Sequence, residues 1–144
     1  MVNPQYIQQD DLASYIIGKI PEEDLPLFTD SRKVISGGLF VALVGESFDA
    51  FSFIPQVVNG GARLVVYQNG EGRRLEIEAI ALEHPECCFV SVEDTLKFLQ
   101  RLAHLHLKRW KEESGGKVLA ITGSNGKTTY KNMLRHFLRS IVGE

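Results

Sequence analysis

Unbroken apolar runs alternate along this chain with stretches in which apolar positions recur at helical spacing. Leu39-Phe40-Val41-Ala42-Leu43-Val44 is one such run, the pattern of a strand covered on both faces. Leu64-Val65-Val66-Tyr67 and Phe89-Val90-Ser91-Val92 repeat it. Between the first two, Ser52 stands where a helix cap is needed, with Pro55 in the first turn and Gly60-Gly61 at the end. Residues 39–67 therefore predict a β-α-β unit, a crossover that is nearly always right-handed. Asp94 opens a long helix to about Lys111, with Leu96, Leu99, Leu102, Ala103 and Trp110 near one face. Asp10 or Asp11 is placed to cap a short helix carrying Leu12, Tyr15 and Ile16 and ending near Gly18. Pro21 to Pro26 is acidic and proline-punctuated and reads as loop, and Asn69-Gly70-Glu71-Gly72 reads as a turn. Leu75 to Leu82 fits a strand or a helix equally well.

The polar, glycine-containing stretch Glu112-Glu113-Ser114-Gly115-Gly116 predicts a domain boundary. It divides the chain into residues 1–112, a linker at 113–116, and residues 117–144. Beyond it, residues 117–122 predict a strand, followed by a glycine loop and a helix to about Val142. That helix places Tyr130, Met133, Leu134, Phe137, Leu138 and Ile141 at helical spacing, with Lys131, Arg135 and Arg139 opposite. An apolar stripe of this size needs cover, which predicts packing against the first domain or self-association through the helix. The fold class expected is α/β, with a short, mostly parallel sheet.

Composition narrows the function classes. Of 144 residues, 44% are hydrophobic and 24% charged, which are globular values. The formal charge of −2 gives no general attraction to nucleic acid or to an anionic membrane. No apolar run approaches the ~20 residues that cross a bilayer, and the N-terminus has no secretory pattern. Cys87 and Cys88 are adjacent, a spacing that disfavours a disulfide, so two thiols in a reducing cytoplasm are expected. His84 lies near them, but zinc takes four well-placed ligands and no second cluster accompanies them. The stretch His104, His106, Lys108, Arg109, Trp110 and Lys111 fits the cation preference of a helix C-terminus better than nucleic-acid contact.

The chemistry concentrates in Gly123-Ser124-Asn125-Gly126-Lys127-Thr128-Thr129, which follows the apolar run Val118-Leu119-Ala120-Ile121 and precedes a helical pattern. Strand, glycine loop, Lys-Thr and helix form the arrangement that cradles a nucleotide polyphosphate. Glycine lets main-chain N–H groups close on the phosphates. The helix start adds unpaired N–H groups and the positive end of a dipole. Lys127 is placed to reach the outer phosphates, and the Thr128 hydroxyl to ligate Mg²⁺. Asn125 tolerates a left-handed main-chain angle within the turn. Only Ser124 and Asn125 separate the first glycine from Gly-Lys-Thr, where the general phosphate-loop pattern has four residues. It is a shortened variant.

This loop resembles that of the Mur ligases, the ATP-dependent amide-forming enzymes of peptidoglycan synthesis, whose loop reads Gly-(Thr/Ser)-Asn-Gly-Lys-Thr. A second block is similar to the family's N-terminal substrate domain: Thr29-Asp30-Ser31-Arg32-Lys33, Gly38-Leu39-Phe40-Val41-Ala42-Leu43, Gly45-Glu46 and Phe48-Asp49-Ala50. The Phe-Asp-Ala spelling, Ile121-Thr122-Gly123-Ser124-Asn125-Gly126 and Val92-Glu93-Asp94-Thr95-Leu96-Lys97 look most like the member that acts last in the series. The Asp-Ser-Arg block is shared with the diamino-acid-adding member. The resemblance covers about residues 10 to 144.

It implies that residues 1–112 bind the UDP part of a UDP-MurNAc-peptide and that residues 117–144 begin an ATPase domain. The family activates the peptide carboxylate with ATP as an acyl phosphate, and the amine of D-alanyl-D-alanine then attacks it. ATP and Mg²⁺ are the implied cofactors. Gly123, Ser124, Asn125, Gly126, Lys127, Thr128 and Thr129 fall on the ATP loop, with Lys127 and Thr128 in catalytic roles and Thr128 on the metal. Asp30, Ser31, Arg32, Glu46, Ser47, Phe48 and Asp49 fall in the region of the UDP-contacting loops. Where the family commonly has His after Phe-Asp-Ala, this chain has Phe51, which removes a polar ring from that region. The second Mg²⁺ ligand, the modified lysine, the adenine pocket and the third domain are expected beyond residue 144, so this polypeptide alone is not expected to complete the reaction. A stand-alone, non-catalytic module for a UDP-sugar or a protein partner is one alternative reading, and the diamino-acid-adding Mur ligase is the other.

Overall fold

The computed structural model describes residues 1–9 and 12–142. Its centre is a five-stranded sheet of β1 (Tyr15–Ile17), β2 (Leu27–Phe28), β3 (Leu39–Val41), β4 (Leu64–Gln68) and β5 (Cys88–Val92). The strand order is β1-β5-β4-β3-β2. β2, β3, β4 and β5 run parallel to their neighbours, while β1 joins the β5 edge antiparallel, Ile16 opposite Val90. The three apolar runs of the sequence are thus the three inner strands.

Successive strand residues point to opposite faces, and both faces here are covered. Phe40, Val65, Tyr67 and Phe89 enter one cluster with Ile54, Val57 and Val58 of α2 (Ile54–Asn59) and Ile77 of α3 (Arg73–Glu83). Leu39, Val41, Leu64, Val66, Val90 and Val92 enter the other, with Ile7 of α1 (Tyr6–Gln9) and Phe98 and Leu102 of α4 (Thr95–Ser114). Double cover is why these strands read as continuous apolar runs rather than as alternating ones. Cys87 and Cys88 diverge in the same way, one into each cluster, and both are free thiols.

The β-α-β unit over residues 39–67 is present, with α2 between the parallel strands β3 and β4. Its cap differs from the one expected. Asp49, not Ser52, accepts from the N–H of Phe51 and starts a short 3₁₀ turn, Ala50–Phe53, that leads into α2. The Ser52 hydroxyl turns back to the Asp49 carbonyl. The carboxylate of Asp49 faces the turn's first free N–H, which is what a cap requires.

The expected helix at Leu12–Gly18 is not formed: Tyr15–Ile17 pairs with β5 instead. Asp10 and Asp11, its proposed caps, lie outside the described residues. Tertiary pairing with an otherwise open sheet edge outweighs the weak helical spacing there. Leu75 to Leu82 resolves as helix α3, whose single fully buried side chain is Ile77; Leu75 and Leu82 are exposed. α4 starts at Asp94, whose carboxylate accepts from the N–H of Lys97. Its buried face is Thr95, Phe98 and Leu102, whereas Leu96, Ala103 and Trp110 are exposed.

Contacts group the residues into two units, Met1–Arg109 and Trp110–Glu144, and α4 runs through the division. In the second unit, α5 spans Lys127–Val142. The strand expected at 117–122 is not formed. An extended segment becomes a strand only when its N–H and C=O groups pair laterally, and no strand lies beside it among the described residues.

Phe89 is fully buried in β5. Replacing it with alanine is expected to lower the unfolding free energy by about 3–5 kcal/mol, read from urea denaturation. Leu82→Ala, at a position 85% exposed, should stay within about 0.5 kcal/mol of the parent.

Candidate functional site

In open α/β sheets, ligands bind outside the carboxyl ends of the parallel strands. Here the chain leaving β2 and the chain leaving β3 meet on one cleft of about 500 Å³, lined by Thr29, Asp30, Ser31, Arg32, Phe48, Phe53 and Gln56. Gly38, at the amino end of β3, lets the chain entering β2 and β3 close up. A Cβ there would meet the carbonyls of Ile35 and Pro26 and the Phe28 ring at 2.8–2.9 Å.

Asp30 and Arg32 form a two-pronged pair, Nε to Oδ1 and Nη2 to Oδ2, both at 2.9 Å. Asp30 Oδ1 also accepts from the Arg32 N–H at 3.1 Å. The paired guanidinium and that N–H together hold the Asp30 carboxyl down at about 2. Arginine carries five N–H donors, so the pair leaves the guanidinium donors to spare. Ser31 is buried, and its carbonyl lies 3.5 Å from Gln56 Nε2. Phe48 is 52% exposed, and its ring stacks on Phe53 with centroids 6.2 Å apart and planes 23° apart. Aromatic faces beside a guanidinium and an amide suit a planar base joined to phosphate.

Of the seven residues the sequence assigns to this region, Asp30, Ser31, Arg32 and Phe48 line the cleft. Glu46 and Ser47 are exposed in the turn closed by the Gly45 N–H on the Phe48 carbonyl at 2.7 Å. Asp49 points elsewhere, to the Phe51 N–H and to Arg73. Phe53 and Gln56 escaped the sequence reading. A second aromatic five residues after Phe48 was the available signal, and only the 3₁₀ turn brings the two rings together.

In the second unit, Gly123 and Gly126 have φ of 148° and 78°, angles that favour glycine. Asn125, Gly126 and Lys127 line a cleft of about 430 Å³ with Ala120, Ile121, Thr122 and Tyr130. Lys127 is the first residue of α5. Its ammonium donates to the Gly123 carbonyl and, at 3.2 Å, to that of Ser124. Both partners are neutral main-chain groups, which a phosphate oxygen replaces without breaking an ion pair. Ser124, Thr128 and Thr129 are exposed, Thr128 beside Lys127 in an adjoining recess. Glycine angles, a helix start and a cation held only by main-chain carbonyls suit a polyphosphate.

No family model matches the chain. It is 38% identical over 110 residues to the UDP-N-acetylmuramoyl-tripeptide–D-alanyl-D-alanine ligase of Bacillus subtilis (strain 168), covering 76% of this chain and 21% of that protein. It is 35% identical over 112 residues to the UDP-N-acetylmuramoyl-L-alanyl-D-glutamate–2,6-diaminopimelate ligase of Cytophaga hutchinsonii, covering 78% and 21%. The chain belongs to the Mur ligase family. A solved D-alanyl-D-alanyl ligase of this family from Acinetobacter baumannii superimposes with a TM-score of 0.69 at 32% identity, over 96% of this chain and 28% of that one. The chain thus spans between a fifth and a third of the length of the Mur ligases it matches.

The Asp30 carboxylate contributes stability that is complete above the ordinary value of 3.8 and is lost as pH falls through about 2. A carboxyl-detected NMR titration should place the Asp30 midpoint near 2, and Arg32→Gln should return it toward 3.8.

Proposed function

We propose that this chain supplies the UDP-MurNAc-peptide-binding part, and the opening of the ATP-binding part, of a ligase that adds D-alanyl-D-alanine to UDP-MurNAc-tripeptide in the cytoplasm. In this reading residues 1–112 form the substrate domain and 117–144 the start of the ATPase domain, joined at 113–116, where α4 ends at Ser114. The observation that carries the reading is the meeting of Asp30-Ser31-Arg32 with Phe48 on one cleft at the carboxyl ends of β2 and β3. Those residues are distant in sequence, and together they offer stacking and cationic donors for a base and a diphosphate. The relatives, named as ligases acting on UDP-N-acetylmuramoyl-peptides, support a substrate of that class.

Within this reading, Phe48 and Phe53 bind the uracil face, and the free guanidinium donors of Arg32 bind the diphosphate. Gly123, Ser124, Asn125, Gly126 and Thr129 wrap the ATP phosphates with their main-chain amides, Lys127 neutralises the outer phosphates, and Thr128 ligates Mg²⁺. Bound Mg-ATP supplies the phosphoryl group that activates the peptide carboxylate. The chain's own part is to orient the substrate and stabilise charge on the phosphates. Tyr130, Met133, Phe137 and Ile141 are exposed along α5, which supports self-association through that helix.

Titration calorimetry tests the substrate reading. UDP-MurNAc-tripeptide is expected to bind, Mg-ATP alone is not, and Phe48→Ala should weaken the tripeptide about 10-fold, or ~1.4 kcal/mol. A folded sample that binds neither would remove the substrate-domain assignment. Sedimentation equilibrium tests the association: the parent should self-associate and Phe137→Glu should be monomeric.

A further inference from the structure

Phe48 is half exposed, so burial does not hold its ring where the cleft needs it. Its placement is set by the main chain of the turn that carries it. That turn is closed by the Gly45 N–H on the Phe48 carbonyl and by a bridge between Val44 and Asp49. The ring stacks on Phe53, the Ala50 N–H bonds the Leu43 carbonyl at 3.0 Å, and the remaining restraint on the turn comes from one side chain of another loop.

Arg73 is the first residue of α3, just past the carboxyl end of β4. Its Nη2 pairs with Asp49 Oδ2, and its Nη1 donates to the Gln68 carbonyl at 3.1 Å. The guanidinium lies over the Phe51 ring, 4.6 Å from its centroid, and that ring packs in turn on Tyr67 of β4 at 5.8 Å. The other oxygen of Asp49 caps the Phe51 N–H at 2.9 Å. One planar fork therefore ties the last residue of β4 to the residue after Phe48 and to the ring two positions further on. The Arg73 side chain is only 22% exposed, so these contacts sit in a partly desolvated setting where charge-assisted bonds are strong.

We infer that Arg73 is the positioning residue of the cleft: it fixes the 45–51 turn against the sheet and so presents Phe48 to the ligand without touching the ligand itself. The inference rests on the substrate reading above for what the cleft binds, but the mechanical link stands on its own. It also gives Phe51 a role. The aromatic ring at this position is the platform on which the guanidinium lies, and a ring that stacks an arginine is held by it in return.

Hydrogen exchange on the full chain, paired with calorimetry, tests the link. In Arg73→Gln, the amides of Gly45 and Phe51 should exchange roughly 10-fold faster or more, as when a charge-assisted bond is lost. The amides of β4 and β5 should keep their parent rates. Arg73→Lys keeps the charge but loses the planar fork, and should resemble Arg73→Gln in both exchange and UDP-MurNAc-tripeptide affinity. Asp49→Asn keeps the cap acceptor while removing the charge that Arg73 grips. It should also loosen Gly45 and Phe51, and it decides the matter should Arg73→Gln loosen the strands as well. Parent exchange rates at Gly45 and Phe51 in these variants would overturn the inference. So would full affinity in Arg73→Lys, which would make the residue a simple charge for the diphosphate. If the parent itself fails to bind UDP-MurNAc-tripeptide, the substrate reading falls, and the exchange rates alone decide whether Arg73 holds the turn.

Discussion

Burial of β3, β4 and β5 on both faces is the constraint from which the rest of the first unit follows. A parallel strand needs a crossover to reach its neighbour, and the crossovers have to lie on the sheet. Side chains of these strands therefore divide by parity, Phe40 and Val65 to one cluster, Leu39 and Leu64 to the other. Each cluster recruits its own helices. Once three strands lie parallel, their carboxyl ends open on the same side, and the loops that leave them are gathered there irrespective of sequence separation.

That gathering is what turns scattered residues into a site. Asp30 and Arg32 leave β2, Phe48 and Asp49 leave β3, and Arg73 leaves β4. The first pair is held by its own hydrogen bonds. The second loop is held across the sheet edge by the third. A cleft built this way is preorganised by contacts made outside the space a ligand would fill, which lowers the ordering that binding requires. The glycine loop in the second unit is made differently. It uses glycine angles and a helix start that are local in sequence, so its outline forms without distant partners.

Legibility followed the same division. The inner strands were readable because double burial leaves an unbroken apolar signature, and the glycine turn before α5 because its main-chain angles are set by consecutive residues. The opening helix over Tyr15 and Ile16 was misread: an edge strand only three residues long owes its state to the neighbour it pairs with. The strand at 117–122 was misread for the converse reason, since an apolar run without a partner stays irregular. On α4, Phe98 rather than Leu96 faces the core, because the helix start at Asp94 sets the phase and spacing alone leaves it free by one residue.

From residue order alone came the α/β class, the three buried strands, the family resemblance, and the loop from Gly123 to Thr129. All of these rest on local chemistry or on short-period burial. Tertiary structure alone decided that Phe53 and Gln56 join Asp30, Ser31, Arg32 and Phe48, that Asp49 turns away from them, and that Arg73 grips it. Those are contacts across tens of residues, set by which strands lie side by side, and no periodicity along a chain encodes the distance between loops that the sheet brings together.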